Sequence, residues 1–238
     1  MNARSGEDLA GCQPDETAGL WSVAGESIFY VVSKPAAPAR AGVLLLQGVG
    51  RVPASNSHSL WVRLARALAR VGVASVRLDY RGVGESSGIL RAPDMDPDAP
   101  VTDEAAFGFQ LLSDLGCVRL SAVGVCVGAR VAAATALARD APLARVLLLA
   151  PPVGSAFTLF KEAASLERAG TDVVVAYGDS ELYAQEFKEA NARLTADPVL
   201  GALPLDPVWL PGRIRGLTTL PTQAAVTELV MASCGSSE

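Results

Sequence analysis

At 238 residues, half of them apolar and 19% charged, the chain holds enough material for one continuous hydrophobic core and is read as a single α/β domain. A formal net charge of −5 with scattered arginines leaves no electrostatic footprint for nucleic acid or an anionic membrane surface, so a small-molecule or carrier-bound acyl substrate is expected. No apolar run reaches membrane-spanning length and Met1 to Thr17 lack the apolar stretch of a secretory signal, which predicts a cytoplasmic protein.

Polarity and small residues predict disordered tails over 1–20 and 233–238, with a folded domain over 21–232. Cys12, Cys117, Cys126 and Cys234 lack the paired spacing of a zinc site, and two of them fall at the expected frayed ends. Neither a disulfide framework, a metal nor a cofactor is expected. The sequence leaves room for a homo-oligomer.

Short apolar runs alternate with segments of helical periodicity, the pattern of a mostly parallel sheet with flanking helices. Strands are expected at Ser27 to Val32, Gly42 to Leu46, Ala74 to Asp79, Leu120 to Val125, Arg145 to Leu149, Asp172 to Tyr177 and Pro207 to Leu210. Leu60, Leu64 and Leu68, widened by Trp61 and Ala65, form the apolar stripe of an amphipathic helix closed by Gly72. The polar stretch Gly82 to Pro100 exceeds most connections in compact domains and is read as a surface excursion near the functional edge. Between the strands at Arg145 and Asp172 there is room for one helix, hence for no large cap domain.

Gly124-Val125-Cys126-Val127-Gly128 follows an apolar strand and precedes the small-residue helix Ala129 to Ala138. In that setting the glycines permit a sharp turn and close packing that present the central side chain, a nucleophile elbow. The plainer alternative makes Cys126 a small buried hydrophobe. The flanking glycines and the alternating strands point independently to the elbow.

Three blocks together resemble the α/β-hydrolase superfamily over roughly residues 26–233: Gly42-Val43-Leu44-Leu45-Leu46-Gln47-Gly48, the segment Arg77-Leu78-Asp79-Tyr80-Arg81-Gly82-Val83-Gly84-Glu85-Ser86, and the elbow. The resemblance implies a single-domain α/β-hydrolase fold. It implies no particular reaction, because this fold carries hydrolases, acyltransferases, lyases and non-enzymes. It also implies an oxyanion hole from the backbone N–H groups of Val127 and of the loop around Val49. Gln47 stands where many members have histidine before the glycine.

By the same resemblance the triad acid follows the strand at Asp172 to Tyr177, placing Glu181 in register with Asp179 as second choice. The histidine is expected within Leu210-Pro211-Gly212-Arg213-Ile214-Arg215-Gly216-Leu217, where Arg215 occupies its position. A triad base must accept the nucleophile's proton and return it to the leaving group. An arginine in a protein stays protonated and cannot shuttle that proton. It can pair with Glu181 and set positive charge near the thiol, and a cysteine at a helix N-terminus beside a cation tends toward thiolate.

Water activation is the step this arrangement performs worst, so acyl transfer, elimination or cyclisation in a biosynthetic or tailoring pathway is expected ahead of simple hydrolysis. The sole histidine, His58, precedes the helix near Leu60 and is a second-choice base reaching the pocket from the opposite rim. Arg51, Asn56 and Tyr80 are weaker pocket candidates, as is Gln47. Two other readings stand beside this one: a catalytically inactive member retained for binding a ligand or partner, and an esterase or thioesterase using His58.

Overall fold

The computed structural model describes residues 15–48, 59–90, 96, 102–196 and 204–235. Among these, eight strands form one sheet in the order β1-β2-β4-β3-β5-β6-β7-β8. The strands are β1 (Asp15–Val23), β2 (Glu26–Lys34), β3 (Ala41–Leu46), β4 (Val73–Leu78), β5 (Arg119–Val125), β6 (Arg145–Leu149), β7 (Asp172–Gly178) and β8 (Val208–Leu210). β1–β2 and β2–β4 pair antiparallel, and every other pairing is parallel. All seven expected strands are present within a residue or two.

The central strands β3 and β4 are buried at every position, as the run Val43-Leu44-Leu45-Leu46 requires. Parallel strands covered by helices on both faces lose the polar alternation of a half-exposed sheet. The helices are α1 (Leu60–Arg70), α2 (Asp103–Asp114), α3 (Val127–Leu137), α4 (Thr158–Arg168), α5 (Leu182–Ala196) and α6 (Leu220–Cys234). α1 packs against α6, while α2, α3 and α4 pack side by side. Helix α3 is buried almost all round, which suits its run of alanines and small residues.

Two expectations about the chain ends are corrected. Residues 15–20, read as tail, belong to β1. Their polarity has a packing reason: Glu16 reaches over the sheet to Arg77 of β4 at 3.2 Å, and also accepts from Arg66 and Ser33. Burial pushes the Glu16 carboxyl up, but those hydrogen bonds and the Arg66 and Arg77 charges outweigh it and hold it below its ordinary value. Trp21 further anchors β1 by stacking on Phe107 of α2, with ring centroids 4.2 Å apart. At the other end Cys234 lies inside α6 and is buried, because Thr222, Val226, Val230 and Cys234 recur every four residues along its inner face.

Candidate active site

The chain passes from β3 outward to β4 and then returns to β5 on the other side of β3. Such a reversal of strand order opens a crevice at the carboxyl ends of the strands, the usual ligand position in open α/β sheets. β3 and β5 pair with Leu46 opposite Gly124, so two residues further on Gly48 comes beside Cys126. A methyl group on Gly48 would sit 3.1 Å from Cys126 Cβ and 3.9 Å from its sulfur.

Cys126 joins β5 to α3 with φ 56° and ψ −126°, in the left-handed half of backbone space where a non-glycine residue is strained. Its N–H is held by Leu149 O at 2.8 Å and its carbonyl by the Ala129 N–H at 3.0 Å. The turn closes only because its flanks lack side chains: a Cβ on Gly124 would lie 2.2 Å from Gly128 O, and one on Gly128 2.2 Å from Gln47 O. The result is a strained, tightly closed strand-turn-helix junction with Cys126 at its apex. Val127 opens α3, so its N–H is one of the first-turn donors a helix leaves without an intrahelical acceptor, as an oxyanion donor must be. The second expected donor, Val49, lies outside the described residues.

Two strands away, β7 and β8 end together, and their following loops are stitched to each other. Asp179 Oδ1 accepts from the Gly212 N–H at 3.0 Å and from Ser180 Oγ at 2.8 Å, so this exposed carboxylate fastens the two loops. Glu181 is buried, and its Oε2 accepts the backbone N–H of Arg215 at 2.8 Å. The expected side-chain pairing of Arg215 with Glu181 is therefore replaced by a backbone contact. The Arg215 guanidinium instead lies over the ring of Tyr183, 4.9 Å from its centroid. Ser180, Arg213 and Arg215 line an open groove alongside.

Tyr183, in the first turn of α5, is the residue that sequence reasoning missed. Its phenol neighbours Cys126 across the crevice. Burial pushes the Tyr183 phenol up, the neighbouring Cys126 adds to that, and the Arg215 charge opposes both. The sequence carries a weak signal for it, an aromatic two residues past the expected acid, but aromatics at helical spacing are ordinary core material.

Gln47, only 1% exposed, has neither amide atom hydrogen-bonded among the described residues. Tyr80 is also buried, its hydroxyl likewise without a partner there, and burial and Glu104 push its phenol far up. The segment following Asp79 is a hydrogen-bonded clamp. Ser86 Oγ donates to Asp79 O and accepts from the Phe29 N–H, each at 2.8 Å, while Asp79 Oδ2 accepts from the Glu85 N–H. Arg81 ties the same turn to Glu104 and Glu26. The start of the expected surface excursion is thus pinned against β2. Arg51, Asn56 and His58 lie outside the described residues. Among the described residues no group of three His, Cys, Asp or Glu side chains is placed to hold a metal, and no helix is long and apolar enough to cross a membrane.

The sheet order, the elbow and the loops after β7 and β8 define an α/β-hydrolase fold in a single domain, and solved structures agree. A putative hydrolase from Agrobacterium vitis matches with a TM-score of 0.62 at 18% identity, covering 93% of this chain and 99% of its own. An alpha-beta serine hydrolase homologue from Coxiella burnetii matches with a TM-score of 0.63 at 18% identity, covering 91% and 96%. The thioesterase domain of the curacin biosynthetic pathway matches at 0.63 and 15% identity, covering 91% and 99%. No protein-family model and no curated protein sequence matches the chain. Resemblance at this level of identity establishes the fold; the chemistry has to be argued from the residues.

Proposed function

We propose that this protein is an enzyme acting on an acyl, ester or thioester substrate through Cys126, and that it transfers, eliminates or cyclises in preference to hydrolysing. The observation that carries the proposal is the strained backbone of Cys126 at the head of α3 with Arg215, not histidine, after β8. A strained residue at a sharp strand-to-helix turn is retained where its side chain has work to do. Attack by the Cys126 sulfur on the substrate carbonyl forms the C–S bond as the bond from that carbon to the leaving alcohol or thiol breaks, the thiol proton leaving with that group and the Val127 N–H serving the developing oxyanion. The acyl thioester is then discharged to an acceptor alcohol, amine or thiol, or to a nucleophile within the acyl chain. No group at the Arg215 position strips a proton from water, so hydrolysis of the intermediate is slow.

The test is to treat the native protein with p-nitrophenyl acetate and examine the Cys126 peptide by mass spectrometry. An acetyl adduct absent from Cys126→Ala is expected, discharged faster by added thiol or amine than by water. A thiol that forms no adduct in the folded protein overturns the proposal. It would support a second reading, a ligand- or partner-binding protein without turnover, which one observation favours: among the described residues the Glu181 carboxylate holds a backbone N–H rather than a base. Rapid discharge by water that is lost in His58→Ala would instead identify a hydrolase with a relocated base.

A further inference from the structure

We infer that the groove after β7 and β8 binds an anionic group of the substrate, a carboxylate or a phosphate, through the guanidinium groups of Arg213 and Arg215. The inference rests on the Cys126 reading above and narrows it to acyl substrates that carry such a group away from the reacting carbonyl.

The loop after β8 presents the two side chains on a fixed backbone. Ile214 and Leu217 are fully buried and anchor it, while Arg213 and Arg215 flank Ile214 on the exposed side. Both acids of the facing turn spend an oxygen on the backbone of this loop and none on its side chains: Asp179 accepts from the Gly212 N–H at 3.0 Å, and Glu181 from the Arg215 N–H at 2.8 Å. Arg213 donates through Nε to Ser180 O at 3.2 Å, which steadies the side chain and leaves its terminal nitrogens for another acceptor. Arg215 is held over the Tyr183 ring, 4.9 Å from the centroid. A ring attracts a guanidinium by its charge and supplies no oxygen to it, so the N–H donors stay available. Among the described residues no carboxylate forms an ion pair with either arginine.

Both arginines line one open groove of about 760 Å³ together with Glu181 and Leu182. Its walls set two guanidinium charges against the single carboxylate of Glu181, which is buried and already engaged. In a chain of net charge −5 this local positive excess suits one anionic group and not a polyanion. The planar guanidinium fork matches the paired oxygens of a carboxylate or phosphate. Leu182, 71% exposed on the same groove, offers apolar surface to the carbon chain that joins the anion to the reacting carbonyl. Strands β5 to β8 run parallel, so the groove after β7 and β8 opens at the same end of the sheet as Cys126 after β5. One extended substrate lying along that end meets both.

Binding is tested first in Cys126→Ala, where no acylation intervenes, by titration calorimetry with adipate, methyl phosphate and the neutral adipamide at low ionic strength. At least one anion should bind more tightly than adipamide. Adding Arg213→Gln or Arg215→Gln should weaken that anion about tenfold or more, as the loss of charge-assisted hydrogen bonds implies, with circular dichroism confirming the fold. The native protein is then acylated by two matched pairs, p-nitrophenyl hemiadipate against p-nitrophenyl hexanoate, and acetyl-coenzyme A against S-acetyl-N-acetylcysteamine. The first pair sets the anion on the acyl chain and the second on the leaving thiol. The anionic member of one pair should form the Cys126 adduct about tenfold faster, and either arginine variant should bring that ratio toward one; the pair that responds identifies the source of the anion. Anions that bind no better than adipamide, binding indifferent to both arginines, or ratios near one in both pairs overturn the inference and leave the Cys126 reading intact. Anion binding that needs the arginines, with no adduct on Cys126 from any of the four compounds, upholds the anion site and overturns the Cys126 reading.

Discussion

Gly128→Ala tests whether the elbow is packed as tightly as its geometry requires. The new Cβ would stand 2.2 Å from Gln47 O, 2.7 Å from Leu46 O and 2.8 Å from Gln47 C. The first of these is more than an ångström inside ordinary van der Waals contact, and all three atoms are backbone, so no side chain can swing away to relieve it. Gly128 lies in α3 at a φ that alanine accepts, and helix propensity favours alanine there by up to about 1 kcal/mol. Any net loss is therefore steric. Overpacking a close-packed site costs about 1–3 kcal/mol, and two backbones that cannot part put this change at the upper end, near 3 kcal/mol net. For a chain of this size that is a fall in Tm of roughly 6–12 °C. The control is Gly116→Ala, at φ 85° with no atom within 4 Å of the added carbon, which incurs only the left-handed cost of about 1–2 kcal/mol. Urea and thermal unfolding of the two variants measure the difference. If Gly128→Ala is no less stable than Gly116→Ala, the close approach of α3 to the end of β3 is not what holds the elbow shut.

Ser86→Ala removes both the acceptor for the Phe29 N–H and the donor to Asp79 O, and should cost about 1–3 kcal/mol in urea unfolding while leaving the rate of Cys126 alkylation in the folded protein unchanged; a slowed alkylation would put the clamp within the active machinery. Burial pushes the Cys234 thiol from 9.0 up to about 11. The unfolded chain then ionises this thiol before the folded one does, so the stability it contributes is present in full below pH 9.0 and declines between pH 9.0 and about 11. Unfolding of wild type and Cys234→Ala across that range should show an alkaline decline about 2–3 kcal/mol larger in the wild type, and parallel curves would refute the assignment.

The periodicity of the chain was sufficient for seven of the eight strands, because strands such as β3 and β6 are covered on both faces and must be apolar throughout. The glycines around Cys126 were equally legible, since a backbone that passes within a Cβ's radius of another tolerates no other residue. Glu181 was expected from the family resemblance alone, and the structure puts it in the turn between β7 and α5. β1 is hard to read locally because it is an exposed edge strand paired along its length with β2, and the partners of its Glu16 and Trp21, namely Arg66, Arg77 and Phe107, are distant in sequence.

The contacts of Tyr183 and Arg215 belong wholly to the tertiary structure. Local pattern determines which residues end a strand or begin a helix, and so it located the glycine-flanked turn at Cys126 and the turn after β7 that carries Glu181. Whether an arginine after β8 turns toward a carboxylate or toward a ring on α5 depends on how the ends of neighbouring strands converge across the sheet. Pairing and packing between segments set those distances, and no single segment encodes them.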